Sequence, residues 1–337
     1  MNGVLESLLK FILSEEFIRA AIFPGITFVL FYALFTVWYE RKLLARVALR
    51  IGPLHVGKVA GILQLVADAV KLLTKEVVIP SKSSRKVFFI SPVIGGFIPL
   101  LIFPFMPLGE RWVIFPSDVS LLIVFAVIAI SPIPFIIAAW ASRSKYPFIG
   151  MIRLGFQLFA YEVPLFLALI PVIILSGSLD LKDIVYAQQT IPFILLLPLS
   201  FIVFLISSIA EVERIPFDLP TAEQELVAGW TTEYSGVLLE FIQLGVYLKA
   251  DALAILTSLL FLGGWHGPDI PFIPPDIEQP LWLLLKSLVL LSFILFLRGV
   301  YPRITIDRLL DIGWRILIPL ALLNIFVAAF LKIYILL

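Results

Sequence analysis

Two uninterrupted apolar stretches, FILLLPLSFIVFLISSIA at 193–210 and LLLKSLVLLSFILFL at 283–297, decide the fold class. Both approach the roughly 20 residues that a helix needs to cross a hydrocarbon core of about 30 Å. Neither alternates polar and apolar residues, as the strands of a membrane barrel do. The sequence therefore predicts helices that span a membrane.

The composition of the whole chain agrees with this prediction. Hydrophobic residues make up 61% of the 337 residues and charged residues 15%, and the mean hydropathy is +1.07. Soluble domains are about 45–50% apolar and about 25% charged. We expect an all-α, polytopic membrane helix bundle that forms one domain over residues 1–337, with lipid as the solvent of its outer surface.

Apolar segments of membrane length occur eight times along the chain. Their predicted bounds are 18–39, 87–107, 119–141, 151–176, 192–210, 236–264, 281–301 and 315–336. Residues 61–76 carry apolar side chains on one helical stripe but are too few to span, so we expect an amphipathic helix in the interface plane. The first residues, MNGVLESLLKFILSEE, predict another short amphipathic helix rather than a signal peptide, because they contain acids and no small-residue cleavage site.

Basic residues predict the orientation of these spans. The opposite loops hold only Arg111 and Lys182, and no basic residue between His266 and Pro280. Because Lys and Arg are retained on the cytoplasmic side of short loops, we expect a multi-pass protein of the plasma membrane with both termini outside. The predicted cytoplasmic side, which includes the loop 40–86, holds Arg41, Lys42, Arg46, Arg50, Lys58, Lys71, Lys75, Lys82, Arg85, Lys86, Arg143, Lys145, Arg214, Arg298, Arg303, Arg308 and Arg315.

The residue types that hold metals are scarce. Without cysteine, the chain cannot bind an iron–sulfur cluster through thiolates or use a thiol nucleophile. His55 and His266 lie in different polar loops and lack metal-ligand spacing, so we expect solvated histidines and no metal site. The sequence also lacks phosphate loops, nucleophile elbows and dinucleotide fingerprints, and we expect no nucleic-acid partner.

Glu162, in the stretch AYEVPL, lies several residues inside the fourth predicted span. An ionisable side chain at that depth is costly, and by default it marks a functional site. Pro164 removes a helix hydrogen bond nearby, so the backbone there should be open to water or side-chain partners. We predict that Glu162 carries protons; a structural ion pair near a helix end is the alternative.

The segment AEVERIPFDLPTAEQELVAGWTTEYSG at 210–236 interrupts the apolar pattern with six acids and a single cation, Arg214. An ordinary loop on this side would be basic. Because crowded carboxylates raise one another's proton affinity, we predict an acidic cytoplasmic loop that loads and unloads protons. A solvated acidic face that docks on a basic partner subunit is the alternative. The acids are Glu211, Glu213, Asp218, Glu223, Glu225 and Glu233.

A third charged segment, RGVYPRITIDRLLDIGWRILIP at 298–319, joins the last two spans. It alternates Arg298, Arg303, Arg308 and Arg315 with Asp307 and Asp311. These residues are either interfacial anchors or partners of the acidic loop and of Glu40 and Asp68. The sequence leaves both interpretations open.

Over nearly its whole length the chain resembles the family of the membrane subunit at the junction of respiratory NADH:quinone oxidoreductase (complex I) and of membrane-bound NiFe hydrogenases. The matching stretches are ERKLLARVALRIGPLHVG at 40–57, LQLVADAVKLLTKE at 63–76, AYEVPL at 160–165, ERIPFDLPTAEQELVAG at 213–229, TEYSG at 232–236, FLGGW at 261–265 and RGVYPR at 298–303. Several ordered motifs make this resemblance specific.

The resemblance implies a cytoplasmic face docked on a hydrophilic arm and a chain of buried charges leading toward antiporter-like subunits. Iron–sulfur clusters, and a NiFe centre in the hydrogenases, would belong to partner subunits, and this chain would hold no cofactor. The implied proton-coupling set is Glu162, Glu211, Glu225 and Glu233, to which the crowded loop adds Glu213. Residues implied to order the inner cavity or hold the loop are Arg41, Arg50, Asp68, Arg214, Asp218, Arg298 and Arg303.

The chain also departs from the quinone-using branch of that family. It has GPLHVGK, LQLVAD, EVERIPFD and GVY where that branch usually has GPNRVGP, LQPxAD, ETNRxPFD and GEY or AEY. The acid absent at Val246 and the acid added at Glu213 change the charges around a quinone. These differences favour the ferredoxin-linked hydrogenase branch, or a closely related sulfur-reducing complex.

We therefore expect a membrane-anchor and ion-transducing subunit of a complex I-related oxidoreductase, with no catalytic centre of its own. It would couple redox chemistry in the hydrophilic arm to the translocation of protons or sodium ions. One alternative is the quinone-binding subunit of NADH:quinone oxidoreductase. A secondary ion transporter is another, although the two halves share no inverted polar pattern. A purely structural anchor is the third.

Overall fold

The computed structural model describes residues 14–57 and 60–334, and all regular structure in that part of the chain is helical. The predicted short helix within residues 1–16 lies, up to residue 13, outside the described residues. Two 3-10 segments, Ile98–Phe105 and Gly229–Thr231, and a π-helical segment, Ile312–Leu317, accompany the α-helices. The α-helices are, in chain order, α1 (Glu15–Ala21), α2 (Ile26–Val47), α3 (Gln64–Thr74), α4 (Arg85–Phe97), α5 (Ser120–Ile130), α6 (Ile133–Ala141), α7 (Lys145–Leu167), α8 (Ile170–Ser176), α9 (Leu181–Tyr186), α10 (Phe193–Leu196), α11 (Pro198–Glu211), α12 (Glu223–Leu226), α13 (Gly236–Phe261), α14 (Pro275–Val300), α15 (Ile306–Asp311) and α16 (Ile318–Tyr334).

Seven helical segments of the described residues are long and apolar enough to cross a membrane. This confirms the predicted class, a polytopic all-α membrane bundle. The segments are Glu15–Val47, Arg85–Phe105, Ser120–Ala141, Lys145–Ser176, Gly236–Phe261, Pro275–Val300 and Ile306–Tyr334.

The eighth predicted span, 192–210, differs from the prediction because it is interrupted. Leu197, with φ −126° and ψ 55°, separates α10 from α11. It precedes Pro198, and a residue before proline is pushed out of the helical region by the proline ring. The 14 residues of α11 rise only about 21 Å, less than the hydrocarbon core.

α13 is the central helix of the bundle. In its most apolar 18-residue window 83% of the residues are buried, against 22–50% in the other six membrane-length segments. α2, α4, α11 and α14 pack around it. Charged residues on α13 are therefore shielded from lipid by protein on every side.

The predicted amphipathic helix within residues 61–76 forms as α3. It packs on α13 and α2, with Leu65 buried against them. Val66 and Leu73 remain exposed. An apolar exposed face on a helix this short suits a position in the membrane interface.

The loops 48–84, 142–144, 212–235 and 301–305 lie at one end of the bundle, called here the basic end. It is the end that the sequence predicts to be cytoplasmic. That orientation stays a prediction.

Candidate functional site

A cavity of about 440 Å³ lies at the basic end, between α2, α13 and the loop 212–235. Its wall combines a dense set of charges with an apolar and aromatic side. The charged lining residues are Glu40, Arg41, Arg50, Glu213, Arg214, Asp218 and Arg298, and the apolar side includes Trp230, Leu239, Ile242 and Val246. Six of these charged residues were predicted from the sequence as site residues, and Glu40 was predicted as a partner.

Glu40 is the centre of the charge cluster in the cavity wall. Its side chain is only 2% exposed and pairs with Arg214 at 3.2 Å and with Arg298. Arg214 also lies over the ring of Tyr247 at 4.5 Å, a cation–π contact. Because a buried carboxylate needs such partners, Glu40 ties the loop 212–235 and the end of α14 to α2.

The loop 212–235 folds back on itself to form the cavity wall. Gly229 has φ +58°, and a Cβ there would lie 1.8 Å from the Pro220 carbonyl oxygen, so only glycine fits. The next residue, Trp230, is buried, and its Nε1 donates to Oε2 of Glu213 at 3.2 Å. Arg303 pairs with Asp218 at 2.9 Å and holds the outer part of the loop.

A second charge cluster lies behind the cavity, around Lys249 of α13. Nζ of Lys249 is 3.4 Å from Oε1 of Glu211, and the side chains are 1% and 2% exposed. Glu162 of α7 and Glu213 of the loop also interact electrostatically with Lys249. One ammonium group thus serves three carboxyl groups, and Glu213 belongs both to this cluster and to the cavity wall.

Burial raises the pKa of Glu213 above its ordinary value of 4.5, and Asp218 adds to the increase. Lys249, Arg214 and the hydrogen bond from Trp230 oppose it. The sequence predicted a raised proton affinity from crowding among carboxylates. The direction agrees, but loss of water around the carboxyl is the larger cause.

Lys249 was not singled out by the sequence analysis, and neither was Asp251 two residues later. Both are buried and belong to the sixth predicted span. The signal was present, because ionisable residues at membrane depth mark functional sites. The apolar run around LKAD concealed it.

The remaining predicted proton-coupling acids lie away from the cavity. Glu225, on α12, is 57% exposed and pairs with Arg153 of α7 at 2.5 Å. Glu233 is half-buried near the start of α13 and is absent from the cavity wall. Asp68, on α3, pairs with Arg41, which joins the amphipathic helix to α2.

The charged segment 298–319 combines both interpretations that the sequence left open. Arg298 and Arg303 pair with Glu40 and Asp218, as the pairing interpretation expects. Arg315 pairs only within its own turn, with Asp311 at 3.3 Å, and both side chains are exposed. Arg308 and Asp307 are exposed as well.

The two histidines have different surroundings. His55 is exposed, as expected. His266 is half-buried, with its ring 6.2 Å from Tyr186 and 6.0 Å from Trp265, so the expected solvated histidine is wrong there. Burial lowers the pKa of His266.

Known proteins similar to this chain include subunits of NADH-quinone oxidoreductase. A family model described as NADH dehydrogenase matches residues 20–329. An NADH-quinone oxidoreductase subunit of Anoxybacillus flavithermus is 44% identical over 306 residues, covering 90% of this chain and 90% of that protein. A subunit of the same name from Syntrophobacter fumaroxidans is 42% identical over 307 residues, covering 88% and 90%. Another, from Bacillus thuringiensis, is 38% identical, covering 92% and 94%.

Proposed function

The chain belongs to the NADH dehydrogenase family, and from this premise we propose that it is the membrane-embedded, ion-transducing subunit of a complex I-type oxidoreductase. In this proposal the cavity at the basic end receives a quinone headgroup. The buried acids behind the cavity take up and release the protons that accompany quinone reduction.

The family predicted from the sequence motifs is confirmed. The finer prediction, the ferredoxin-linked hydrogenase branch, finds no support in the relatives above, which are named as quinone oxidoreductase subunits. They favour the alternative that the sequence analysis carried, a quinone-binding subunit. Val246 lines the cavity, so the absent acid leaves an apolar patch that suits the hydrophobic side of a quinone ring.

The observation that carries the proposal is the double position of Glu213. Its carboxyl lines the cavity and also interacts with Lys249 in the buried cluster. A change of charge in the cavity therefore alters the proton occupancy of Glu213, and through Lys249 that of Glu211 and Glu162. Burial, which keeps water from screening these charges, lengthens the reach of the coupling.

The energy required is modest. Moving one elementary charge against 100 mV costs about 2.3 kcal/mol. Changes in the pairing of buried charges amount to several kcal/mol, because water does not compensate for a lost partner. Rearranging one ion pair of the Lys249 cluster would be sufficient for one such transfer.

The proposal includes partner subunits. Iron–sulfur clusters in a hydrophilic arm would deliver electrons to the cavity, since this chain has no cysteine to hold them. The arm would dock on the basic end, where the exposed acids Glu223 and Glu225 lie, and other membrane subunits would receive the ions.

The test uses the native complex, purified in mild detergent from the source membranes with this chain in place. We expect quinone reduction by the wild type. Glu213→Gln should reduce that rate by about tenfold or more, the lower range for loss of a positioned proton donor. Glu223→Gln is the matched control, since the same substitution in the same loop falls on an exposed side chain.

Other outcomes overturn the proposal in distinguishable ways. Hydrogen evolution from reduced ferredoxin without quinone reduction would restore the hydrogenase branch. Equal rates for Glu213→Gln and Glu223→Gln would remove Glu213 from the coupling path. Purification of the chain without partner subunits would contradict its role in a complex.

A further inference from the structure

Asp251 lies on the face of α13 opposite Lys249, where none of the coupling groups described above is found. Two residues of a helix turn by about 200°, so neighbouring charges two apart face opposite sides. Asp251 is fully buried, and Oγ1 of Thr36, on α2, donates to its Oδ1 at 2.8 Å. The other oxygen, Oδ2, is buried and accepts no hydrogen bond from the described residues.

The surroundings of Asp251 leave its charge uncompensated. Within residues 14–57 and 60–334, no cation lies within ion-pair distance of its carboxyl. Arg214 and Glu40 of the cavity wall act on it from farther away and with opposite signs. They are themselves engaged with each other, with Arg298 and with Tyr247.

On its other side Asp251 faces hydroxyl groups. Tyr32, one helical turn from Thr36 along α2, interacts with Asp251. The hydroxyl of Tyr32 is 3.1 Å from Oγ of Ser287 on α14. Glu40, Thr36 and Tyr32 follow one another at four-residue intervals, so each step advances about 6 Å along α2.

These positions place Asp251 between the cavity and a buried pair of hydroxyls. A buried carboxylate without a partner is strongly destabilising, whereas a carboxyl that has bound a proton carries no charge. Oδ2 is the atom free to hold that proton, since Oδ1 already accepts a hydrogen bond from Thr36. A hydroxyl can accept one proton and release another, so the Tyr32–Ser287 pair can continue the path.

We propose that Asp251 is a proton-binding site that exchanges protons with the cavity and passes them toward Tyr32 and Ser287. This branch is separate from the Lys249 cluster and rests on the proposed function for the source of its protons. Uptake converts the carboxylate and one proton into a neutral carboxyl at Oδ2, and release restores both. A negative charge formed in the cavity beside Arg214 favours uptake, because it weakens the attraction of Arg214 for the carboxylate.

Infrared spectroscopy tests proton binding without reference to turnover. We expect the difference spectrum between the wild-type complex and Asp251→Asn to contain the C=O stretching band of a protonated carboxyl. Thr36→Val should shift this band, because it removes the hydrogen bond to Oδ1. The control is Asp276→Asn, on an acid 49% exposed at the start of α14, which should leave the band in place. Only carboxylate bands at every pH would overturn the proposal.

Ion translocation tests the relay. In liposomes containing the purified complex, Asp251→Asn should lower the number of protons moved per quinone reduced by at least about half, as expected for an intramembrane proton carrier. Quinone reduction itself should persist, and Asp276→Asn should behave as the wild type. An unchanged ratio in Asp251→Asn would overturn the relay. If the wild type reduces no quinone, the proposed function fails, and the infrared result still decides whether Asp251 holds a proton.

Discussion

The two faces of α13 present ionisable side chains in opposite ways. On one face Lys249 pairs with Glu211 at 3.4 Å and interacts with two further acids. On the other, Asp251 has a hydroxyl donor and, among the described residues, no cation as a partner. The first arrangement keeps charges together in the interior, and the second leaves an acid whose charge only a proton can remove.

The comparison shows that burial alone does not decide what an intramembrane charge does. Lys249 and Asp251 are both at most 1% exposed. Their difference lies in the partner each face meets, a carboxyl on α11 or a threonine on α2. Partner chemistry therefore separates a fixed ion pair from a group able to exchange protons.

Breaking the paired face should have the largest effect on stability. Lys249→Met leaves Glu211 buried without its cation, and we expect a loss of about 3–5 kcal/mol in unfolding free energy. Reversible unfolding in mixed detergent micelles measures it. The double variant Lys249→Met with Glu211→Gln should recover most of the loss, because no charge is then left alone. A single variant as stable as the wild type would contradict the pairing.

Thr36→Val on the unpaired face should have a smaller effect. It removes the only side-chain donor to Asp251 among the described residues, at an expected cost of about 1–3 kcal/mol. The same unfolding measurement applies. Thr36→Ser keeps the hydroxyl and should stay close to the wild type; equal losses for Val and Ser would indicate packing rather than the hydrogen bond.

The pH dependence of stability tests Glu213, which joins the paired face to the cavity. Because folding raises the pKa of Glu213 above 4.5, the folded state binds the proton more tightly than the unfolded state. The wild type should therefore lose stability relative to Glu213→Gln as pH rises from about 4.5 through the folded-state pKa. Glu223→Gln, measured in parallel, should follow the wild-type curve. An opposite slope would show that Lys249 and Arg214 outweigh burial.

The smallest effect is expected outside both faces, at the exposed pair of Arg153 and Glu225. Arg153→Gln should change the unfolding free energy by about 0–1 kcal/mol, because water and side-chain entropy offset an exposed pair. Raising the salt concentration should reduce the difference further. A loss as large as that of Lys249→Met would mean that the basic end is less hydrated than the exposure of Glu225 indicates.

Sequence reasoning found the cavity better than the cluster behind it. Arg214, Glu213 and Arg298 stand in motifs where charge interrupts apolar sequence, and the structure brings them together. Lys249 and Asp251 stand singly within a long apolar run. The interruption at Leu197 was missed too, because a proline in a membrane helix is often tolerated, and only neighbouring contacts decide whether the helix continues.

The sequence by itself determined the helical membrane class, the basic end and the family, because these follow from local hydrophobicity, charge asymmetry and ordered motifs. Only the tertiary structure decided which charges are paired. Thr36 and Asp251 are 215 positions apart, and Glu40 and Arg298 are 258 apart. Such contacts depend on how the helices pack and rotate against one another. A one-residue change in rotation, about 100°, would exchange a cation for a hydroxyl or for lipid.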